Sequence, residues 1–226
     1  MKKLAKLTAG PAGSWSELNK QMKHNDGKIS LKKVNLKAYM AITKIRENCK
    51  PFLKEKVIMY RGSHKKIELL RKTRRRKLRK PKDTDIRVHK IAEKFFMKKF
   101  GWKPRSQGVF AVGSYSAATY YGNAYYFFPI GSYRYLWSPD KSDFYLGAPS
   151  MKTDLDMGHP SRVENKLETL IKTYKDTGLK TAVEKQTFEV MFDVDSFYLM
   201  SNRIIEGDLL EKHLFSKSFK KEDVVL

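Results

Sequence analysis

Three things are scarce in this sequence: cysteine, long apolar runs and acidic residues. Cys49 is the single cysteine, which excludes an intramolecular disulfide framework and a cysteine-rich zinc site. No stretch reaches the roughly 18 apolar residues of a membrane span, and the segment Met1–Gly10 holds no apolar run of signal-peptide length. We therefore expect a soluble, cytoplasmic protein with no membrane partner.

Acidic residues are outnumbered by basic ones, 24 against 47, so the formal net charge is +23 at pH 7. So positive a field attracts polyanions, whether nucleic acid, nucleotide phosphates or anionic lipid headgroups, and charge alone does not choose among them. The five histidines are scattered without metal-ligand spacing, so we expect no bound metal. Hydrophobic residues make up 41% of the chain, which is enough for a real core.

The composition along the chain indicates one large domain with a basic arm. Residues 1–34 combine lysines with glycine, proline and an Asn-Asp-Gly turn signal, which predicts a loosely ordered arm with one short helix near Trp15–Met22. Residues 35–226 form the predicted domain. Within it, Arg71–Lys82 is the densest run of charge and predicts a solvated, flexible excursion over 71–85. The residues expected to contact a polyanion there are Arg74, Arg75, Arg76 and Arg79.

Apolar spacing predicts helices and strands in an irregular order. Helices are expected over 36–53, 86–100, 116–121 and 164–174, the second of them stopped by Gly101. Strands are expected over 57–60, 109–112, 124–128, 133–137, 188–194 and 197–200. Because strands and helices do not alternate regularly, the fold class is α+β, with a mostly antiparallel sheet core and flanking helices.

Three segments carry residues suited to chemistry, and the first is the end of the apolar run before Arg61. A guanidinium there is permanently charged and partly buried, and Gly62 leaves the backbone open to a ligand. This arrangement suits a phosphate or a nucleotide ribose. The alternative is an ordinary edge-strand arginine paired with a carboxylate.

The second segment runs from Gly108 to Gly122. Its small residues let a ligand lie against the backbone near Gly113, and its hydroxyl groups can orient a ribose or an amide. A tyrosine at the end of the short helix can stack on a planar ring. The alternative is a plain strand, turn and helix in which Ser114 or Ser116 caps the helix N-terminus.

The third segment contains Glu189, which shares a strand face with Thr187 and Met191. A carboxylate on a β-prone segment can accept a hydrogen bond from a ribose hydroxyl and stabilise an oxocarbenium-like transition state. The alternative is a solvent-facing glutamate on a half-exposed strand.

In this order the three segments resemble the Arg…Ser-x-Ser…Glu pattern of the ADP-ribosyltransferase family, over roughly residues 36–194. The stretch Phe110-Ala111 through Ser114-Tyr115-Ser116-Ala117 to Tyr120 or Tyr121 also resembles the equivalent stretch of poly(ADP-ribose) polymerases. The resemblance implies a split, mostly antiparallel pair of sheets that binds NAD as a substrate.

The resemblance also implies a role for each site residue. Glu189, Arg61 and Ser114 are the implied catalytic residues, and Glu189 would hydrogen-bond the ribose 2′-hydroxyl and promote loss of nicotinamide. The implied NAD-binding residues are Arg61, Gly62, Gly113, Ser114, Ser116, Tyr120 and Tyr121. Arg61 would hold phosphate or ribose, the serines would order the nicotinamide side, and one of the two tyrosines would stack on nicotinamide.

Thr187 stands where arginine-modifying members of the family carry the first glutamate of Glu-x-Glu, so the implied acceptor is not a protein arginine recognised in that way. We therefore expect a mono-ADP-ribosyltransferase, a glycosyltransferase resembling a phage or bacterial effector, that modifies nucleic acid or a protein bound to it. In a phage-infected cell it would act in the host cytoplasm. The basic segment Arg71–Lys82 is expected to bind the target and to lie outside the catalytic segments.

Two alternatives belong to other classes of function. One is a non-enzymatic nucleic-acid-binding protein in which arginines contact phosphates and tyrosines stack on bases. The other is a virion-associated protein whose charge packs against the genome.

Overall fold

The structure is a computed structural model that describes residues 34–81, 84–142, 144, 148–203, 205, 207–216 and 224–225. They belong to Val34–Leu226, the second of two units into which the chain divides. The predicted arm and its helix near Trp15–Met22 lie outside the described residues. None of the helices in the described ranges is both long and apolar enough to cross a membrane.

Helices and strands are numbered separately along the described chain. The helices are α1 (Leu36–Asn48), α2 (Lys50–Leu53), α3 (Ile86–Phe100), α4 (Pro104–Gln107), α5 (Tyr115–Thr119), α6 (Ala148–Asp156), α7 (Pro160–Lys172), α8 (Leu179–Glu184) and α9 (Gly207–Phe215). The strands are β1 (Val34–Asn35), β2 (Met59–Ser63), β3 (Leu70–Arg74), β4 (Val109–Ala111), β5 (Asn123–Pro129), β6 (Arg134–Leu136), β7 (Val190–Asp193), β8 (Ser196–Met200) and β9 (Val224–Val225).

Helix α3 shows why a strongly patterned segment folds as its sequence predicts. The Asp85 side chain accepts a hydrogen bond from the backbone N–H of Arg87 and caps the first turn. Gly101 ends the helix in the left-handed conformation, with φ at 72°. Between these caps Val88 and Phe96 are buried on one face. The predicted bounds of this helix are therefore confirmed.

Two antiparallel sheets form the centre of the domain. The larger has the strand order β2-β5-β8-β3, and the smaller has the order β4-β7-β6. The edge strands of the two sheets touch, because Tyr60 and Val112 exchange backbone hydrogen bonds of 2.8 and 2.9 Å. The predicted α+β class with mostly antiparallel sheets is confirmed, and the contact between sheets places the ends of β2, β4 and β7 close together.

The smaller sheet lies between two apolar clusters, because side chains alternate along its strands. Val190 and Phe192 of β7 pack into the larger cluster, which also contains most of the other sheet. Met191 and Phe110 point to the other side, where they meet residues of α3 and α7. Glu189 directly precedes β7, two residues before Met191, and so continues that second face.

The basic segment differs from its prediction. Leu70–Arg74 is strand β3, paired along its whole length with β8, so the predicted flexible excursion is wrong for Arg71–Arg74. Leu70 and Thr73 are half-buried, whereas Arg71, Lys72 and Arg74 are exposed. An edge strand allows this, because its backbone hydrogen-bonds to one neighbour while charged side chains stay in water.

Candidate active site

Three arginines from separate segments meet at Phe110 of β4. The guanidinium carbon of Arg79 lies 4.4 Å from the centroid of the Phe110 ring, and that of Arg105 lies 5.3 Å from it. Arg61 of β2 donates a hydrogen bond from Nη1 to the backbone carbonyl of Phe110. The ring and the carbonyl together hold three cations near one point, and each cation gains a cation–π contact or a hydrogen bond.

Glu189 is the carboxylate of this cluster. Its Oε2 lies 3.6 Å from Nη1 of Arg105, and the two side chains are only 15% and 14% exposed. The Tyr121 hydroxyl donates to Oε1 over 3.4 Å. The backbone N–H of Glu189 donates to the carbonyl of Ser142 over 3.0 Å, which anchors the main chain. Glu189 is thus a held, mostly buried carboxylate, and the alternative of a solvent-facing glutamate is wrong.

The electrostatics of the cluster are dominated by positive charge. Burial lowers the pKa of Arg61 to about 10, with further lowering by Arg79 and Arg76 and an opposing effect of Glu189. Burial also lowers the pKa of Arg79, which the neighbouring Arg105 and Arg76 reinforce. Both groups remain cations at neutral pH. Three arginines against the carboxylate of Glu189 leave a positive excess that a ligand with several negative charges would balance.

The two predicted serines lie at the start of α5. Ser114 is its N-cap residue, and its Oγ accepts a hydrogen bond from the backbone N–H of Ala117 over 3.4 Å. The same Oγ lies 2.9 Å from Oγ of Ser116. The backbone N–H of Ser114 donates to the carbonyl of Gln186, three residues before Glu189. The Ser114 hydroxyl therefore caps the helix, as in the alternative interpretation of this segment as a plain strand, turn and helix.

The structure separates the two candidate tyrosines at the other end of α5. Tyr120 is 88% exposed, whereas Tyr121 is 49% exposed and bonds to Glu189. Of the two rings, Tyr121 is the one that the fold brings to the carboxylate. Tyr120 stands in solvent beside it.

Packing within the protein accounts for the two predicted glycines. A Cβ atom on Gly62 would lie 2.4 Å from the carbonyl oxygen of Ala118, and one on Gly113 would lie 2.1 Å from that of Val183. The small residues of these segments predicted room for a ligand beside these backbones. The structure instead fills that room with α5 and α8, because two elements approach there more closely than a side chain permits.

Arg105 stands in the sequence as a second candidate phosphate contact, with a plain loop charge as the alternative, and its pairing with Glu189 was not predicted. Glu93 of α3 is 5% exposed, and its Oε1 accepts from the backbone N–H groups of Arg105 and Ser106 over 2.8 and 3.1 Å. Nε2 of His89, one turn earlier, lies 3.1 Å from the Ser106 hydroxyl. These contacts orient α4. The sequence did hold a signal for this arrangement: His89 and Glu93 are spaced i, i+4 on the apolar face of α3, where two buried polar side chains need partners.

The titration of His89, which contacts Ser106 of α4, makes the stability of the protein depend on pH. Burial, then Arg105 and Arg79, lowers the pKa of His89 to about 4. In the unfolded chain a histidine takes up a proton near pH 6.5, whereas His89 in the folded protein stays neutral down to about pH 4. The stability that depends on neutral His89 is therefore complete above pH 6.5 and is lost as the pH falls towards 4, because protonation then favours the unfolded chain. We expect the free energy of unfolding to be about 2 kcal/mol smaller at pH 5 than at pH 7.5 through this group alone.

Urea unfolding of wild type and His89→Gln across this pH range measures the effect. The amide cannot titrate and retains a hydrogen-bonding group for Ser106, so the variant should show a flatter dependence. The same measurement on His159→Gln, at the start of α7, separates the effect of His89 from that of removing any histidine. Equal slopes for wild type and His89→Gln would contradict the assignment.

The four arginines assigned to polyanion contact have different surroundings. The Arg75 side chain is 25% exposed and forms ion pairs with Asp193 and Asp195, which tie the basic segment to β7 and to the bend before β8. Arg79 lies in the Phe110 cluster, and Arg76 is exposed but close enough to lower the pKa of Arg61. Arg74 is exposed on β3. The expectation that the basic segment lies apart from the candidate site is wrong for Arg79, which packs on Phe110 and interacts electrostatically with Glu189.

Comparison of the chain with protein-family models, curated proteins and solved structures finds no match. The chemistry of the cluster around Phe110 is therefore the basis for assigning a function. That cluster combines a held carboxylate, a half-exposed tyrosine ring and an excess of arginine. Such a combination can bind a polyphosphate and stabilise positive charge that develops beside it.

Proposed function

We propose that this protein is a mono-ADP-ribosyltransferase, which cleaves the nicotinamide glycosidic bond of NAD and passes ADP-ribose to an acceptor. The observation that carries the proposal is the Glu189 carboxylate, mostly buried and bonded to Tyr121 within a cluster of arginines. The order of Arg61, Ser114, Ser116 and Glu189 along the chain supports it through the resemblance to ADP-ribosyltransferases.

Glu189 supplies the electrostatic part of the reaction. As the C1′–N bond of NAD breaks, its electron pair leaves with nicotinamide, which departs as a neutral molecule, and positive charge develops on the ribose. A carboxylate that accepts a hydrogen bond from the ribose 2′-hydroxyl stabilises this charge where it forms. The acceptor then bonds to C1′ and releases its proton to solvent.

The arginines and Tyr121 supply binding. The pyrophosphate of NAD carries two negative charges, which match the positive excess of Arg61, Arg79 and Arg105. The half-exposed ring of Tyr121 lies beside Glu189 and offers a face for nicotinamide. Ser116, exposed next to the capping Ser114, can donate a hydrogen bond to the carboxamide.

The sheet architecture agrees with the proposal. Arg61 lies on β2 of the larger sheet, and Glu189 directly precedes β7 of the smaller one. The backbone bridge between Tyr60 and Val112 joins the two sheets next to both residues. A split pair of antiparallel sheets of the ADP-ribosyltransferase type would place its NAD site along such a junction.

Incubation of the full-length protein with NAD labelled in its adenylate phosphate tests the proposal. We expect release of nicotinamide above the rate in buffer, measured by liquid chromatography, and a higher melting temperature when NAD is present. NADH is the matched control, because its neutral dihydronicotinamide is a poor leaving group. If the protein releases no nicotinamide from NAD and its melting temperature does not change when NAD is added, the proposal is overturned.

A further inference from the structure

A strip of exposed cations runs along β3 and the segment after it. We call the following side chains the cationic strip: Arg71, Lys72, Arg74, Arg76, Lys77 and Lys80. All of them are exposed, and within the described part of the chain none forms an ion pair. The sequence 71–80 contains no acidic residue, so its charge is not balanced locally.

The strip is held in place by the residues between its cations. Its first part is hydrogen-bonded to β8 in full antiparallel register. Arg75 then donates its backbone N–H to the carbonyl of Asp195 over 3.0 Å, and its guanidinium pairs with Asp193. Arg79 donates its backbone N–H to the carbonyl of Ser106 over 2.9 Å. A ligand therefore meets cations on an ordered backbone, which lowers the entropy lost on binding.

The strip leads to the candidate active site. Arg79, between Lys77 and Lys80, stacks on Phe110, and burial lowers the pKa of Arg79 while the Glu189 carboxylate opposes that lowering. Tyr120, next to Tyr121, presents a ring that is 88% exposed. Exposed cations on an edge strand and the segment after it, together with an exposed aromatic ring, are the two components of single-stranded nucleic-acid binding, where phosphates contact charge and bases stack.

We propose that the cationic strip and Tyr120 bind single-stranded nucleic acid and present it to Glu189 as the acceptor of ADP-ribose. Phosphates would contact the strip, and an unpaired base would stack on Tyr120. A duplex fits less well, because its bases are already stacked on one another. An acidic protein would use the cations but would leave Tyr120 without a role.

The acceptor part of this inference rests on the proposed function. In that step an oxygen or nitrogen of the nucleic acid forms the new bond to C1′ as the bond to nicotinamide breaks, and the acceptor proton passes to solvent. The binding part does not depend on NAD and is measured without it.

Fluorescence anisotropy with the full-length protein tests the binding part. The ligands are a labelled single strand of about 20 nucleotides and a duplex of the same sequence, at salt concentrations between about 50 and 200 mM. The strip variant is Arg74→Gln, Lys77→Gln and Lys80→Gln. Its control, Lys90→Gln, Lys94→Gln and Lys98→Gln, removes equal charge from the exposed face of α3.

We expect the single strand to bind more tightly than the duplex. The strip variant should lower the slope of log affinity against log salt concentration by about 2, because each phosphate contact contributes roughly 0.7. Tyr120→Ala should weaken binding about fivefold or more. The control variant should keep the wild-type slope. Equal effects of the two triple variants, or no effect of Tyr120→Ala, would overturn the binding site.

Competition and labelling separate the remaining alternatives. Displacement of the single strand by polyglutamate as readily as by unlabelled single strand would overturn the choice of nucleic acid. Transfer of labelled ADP-ribose to the single strand supports the acceptor assignment. Nicotinamide release without any labelled nucleic acid overturns that assignment and leaves the proposed transferase intact, whereas absence of nicotinamide release defeats the transferase and not the binding site.

Discussion

Glu189→Gln is expected to lower kcat for NAD cleavage by about 10²–10³-fold, the effect of removing one electrostatic contact to a transition state. The amide keeps the size of the carboxylate and still accepts a hydrogen bond from Tyr121, but it carries no charge to oppose the developing oxocarbenium ion. The arginines remain, so NAD should still bind. We therefore expect the loss to fall on kcat and not on KM.

Glu184→Gln is the matched control for this substitution. Glu184 is exposed at the end of α8, and its replacement removes the same charge close in sequence to Glu189. Nicotinamide release by the control should equal that of wild type. A Glu189→Gln enzyme with wild-type kcat would show that the carboxylate does not act on the ribose, and it would remove the observation on which the proposed function depends.

Gly113→Ala is expected to lower the free energy of unfolding by about 3 kcal/mol, at the upper end of the usual cost of overpacking. The added methyl carbon would lie 2.1 Å from the carbonyl oxygen of Val183 and 2.8 Å from its carbonyl carbon. Both are backbone atoms, so no side chain can rotate away. Helix α8 and the segment that follows β4 would have to move apart.

Thermal unfolding followed by circular dichroism measures this change, which should appear as a fall in Tm of about 6–12 °C for a chain of this size. Gly131→Ala is the control, since nothing lies within 4 Å of its Cβ position and only its φ of +72° opposes a side chain. We expect it to cost about 1 kcal/mol. A Gly113→Ala protein of wild-type stability that fails to bind NAD would favour the ligand role instead.

Elements with complete local signals were predictable from the sequence. Helix α3 combines an acidic N-cap, an apolar face and a terminal glycine within one segment, so its bounds follow from neighbouring residues alone. The strands around Phe127 and Phe197 were likewise visible as apolar, β-prone runs. In contrast, helix α8 was not predicted, because only tertiary contacts bury its Leu179 and Ala182.

The basic segment shows how a charge pattern alone misleads. A dense run of cations normally indicates a solvated loop, and seven of its basic residues between Arg71 and Lys80 are indeed exposed. Strand β3 forms nonetheless, because β8 provides hydrogen-bond partners for its backbone and Asp193 and Asp195 provide partners for Arg75. The partners lie far along the chain, so no local pattern could predict them.

The sequence was sufficient to establish the overall charge, the capped helices, the antiparallel α+β class and the residue types of interest, since each depends on composition or short-range spacing. The tertiary structure decided which of those residues meet. Arg61, Arg79, Arg105 and Glu189 come together only because two sheets join at Tyr60 and Val112 and because Glu93 holds α4 in place. Contacts between distant segments follow from packing, and local spacing carries no information about them.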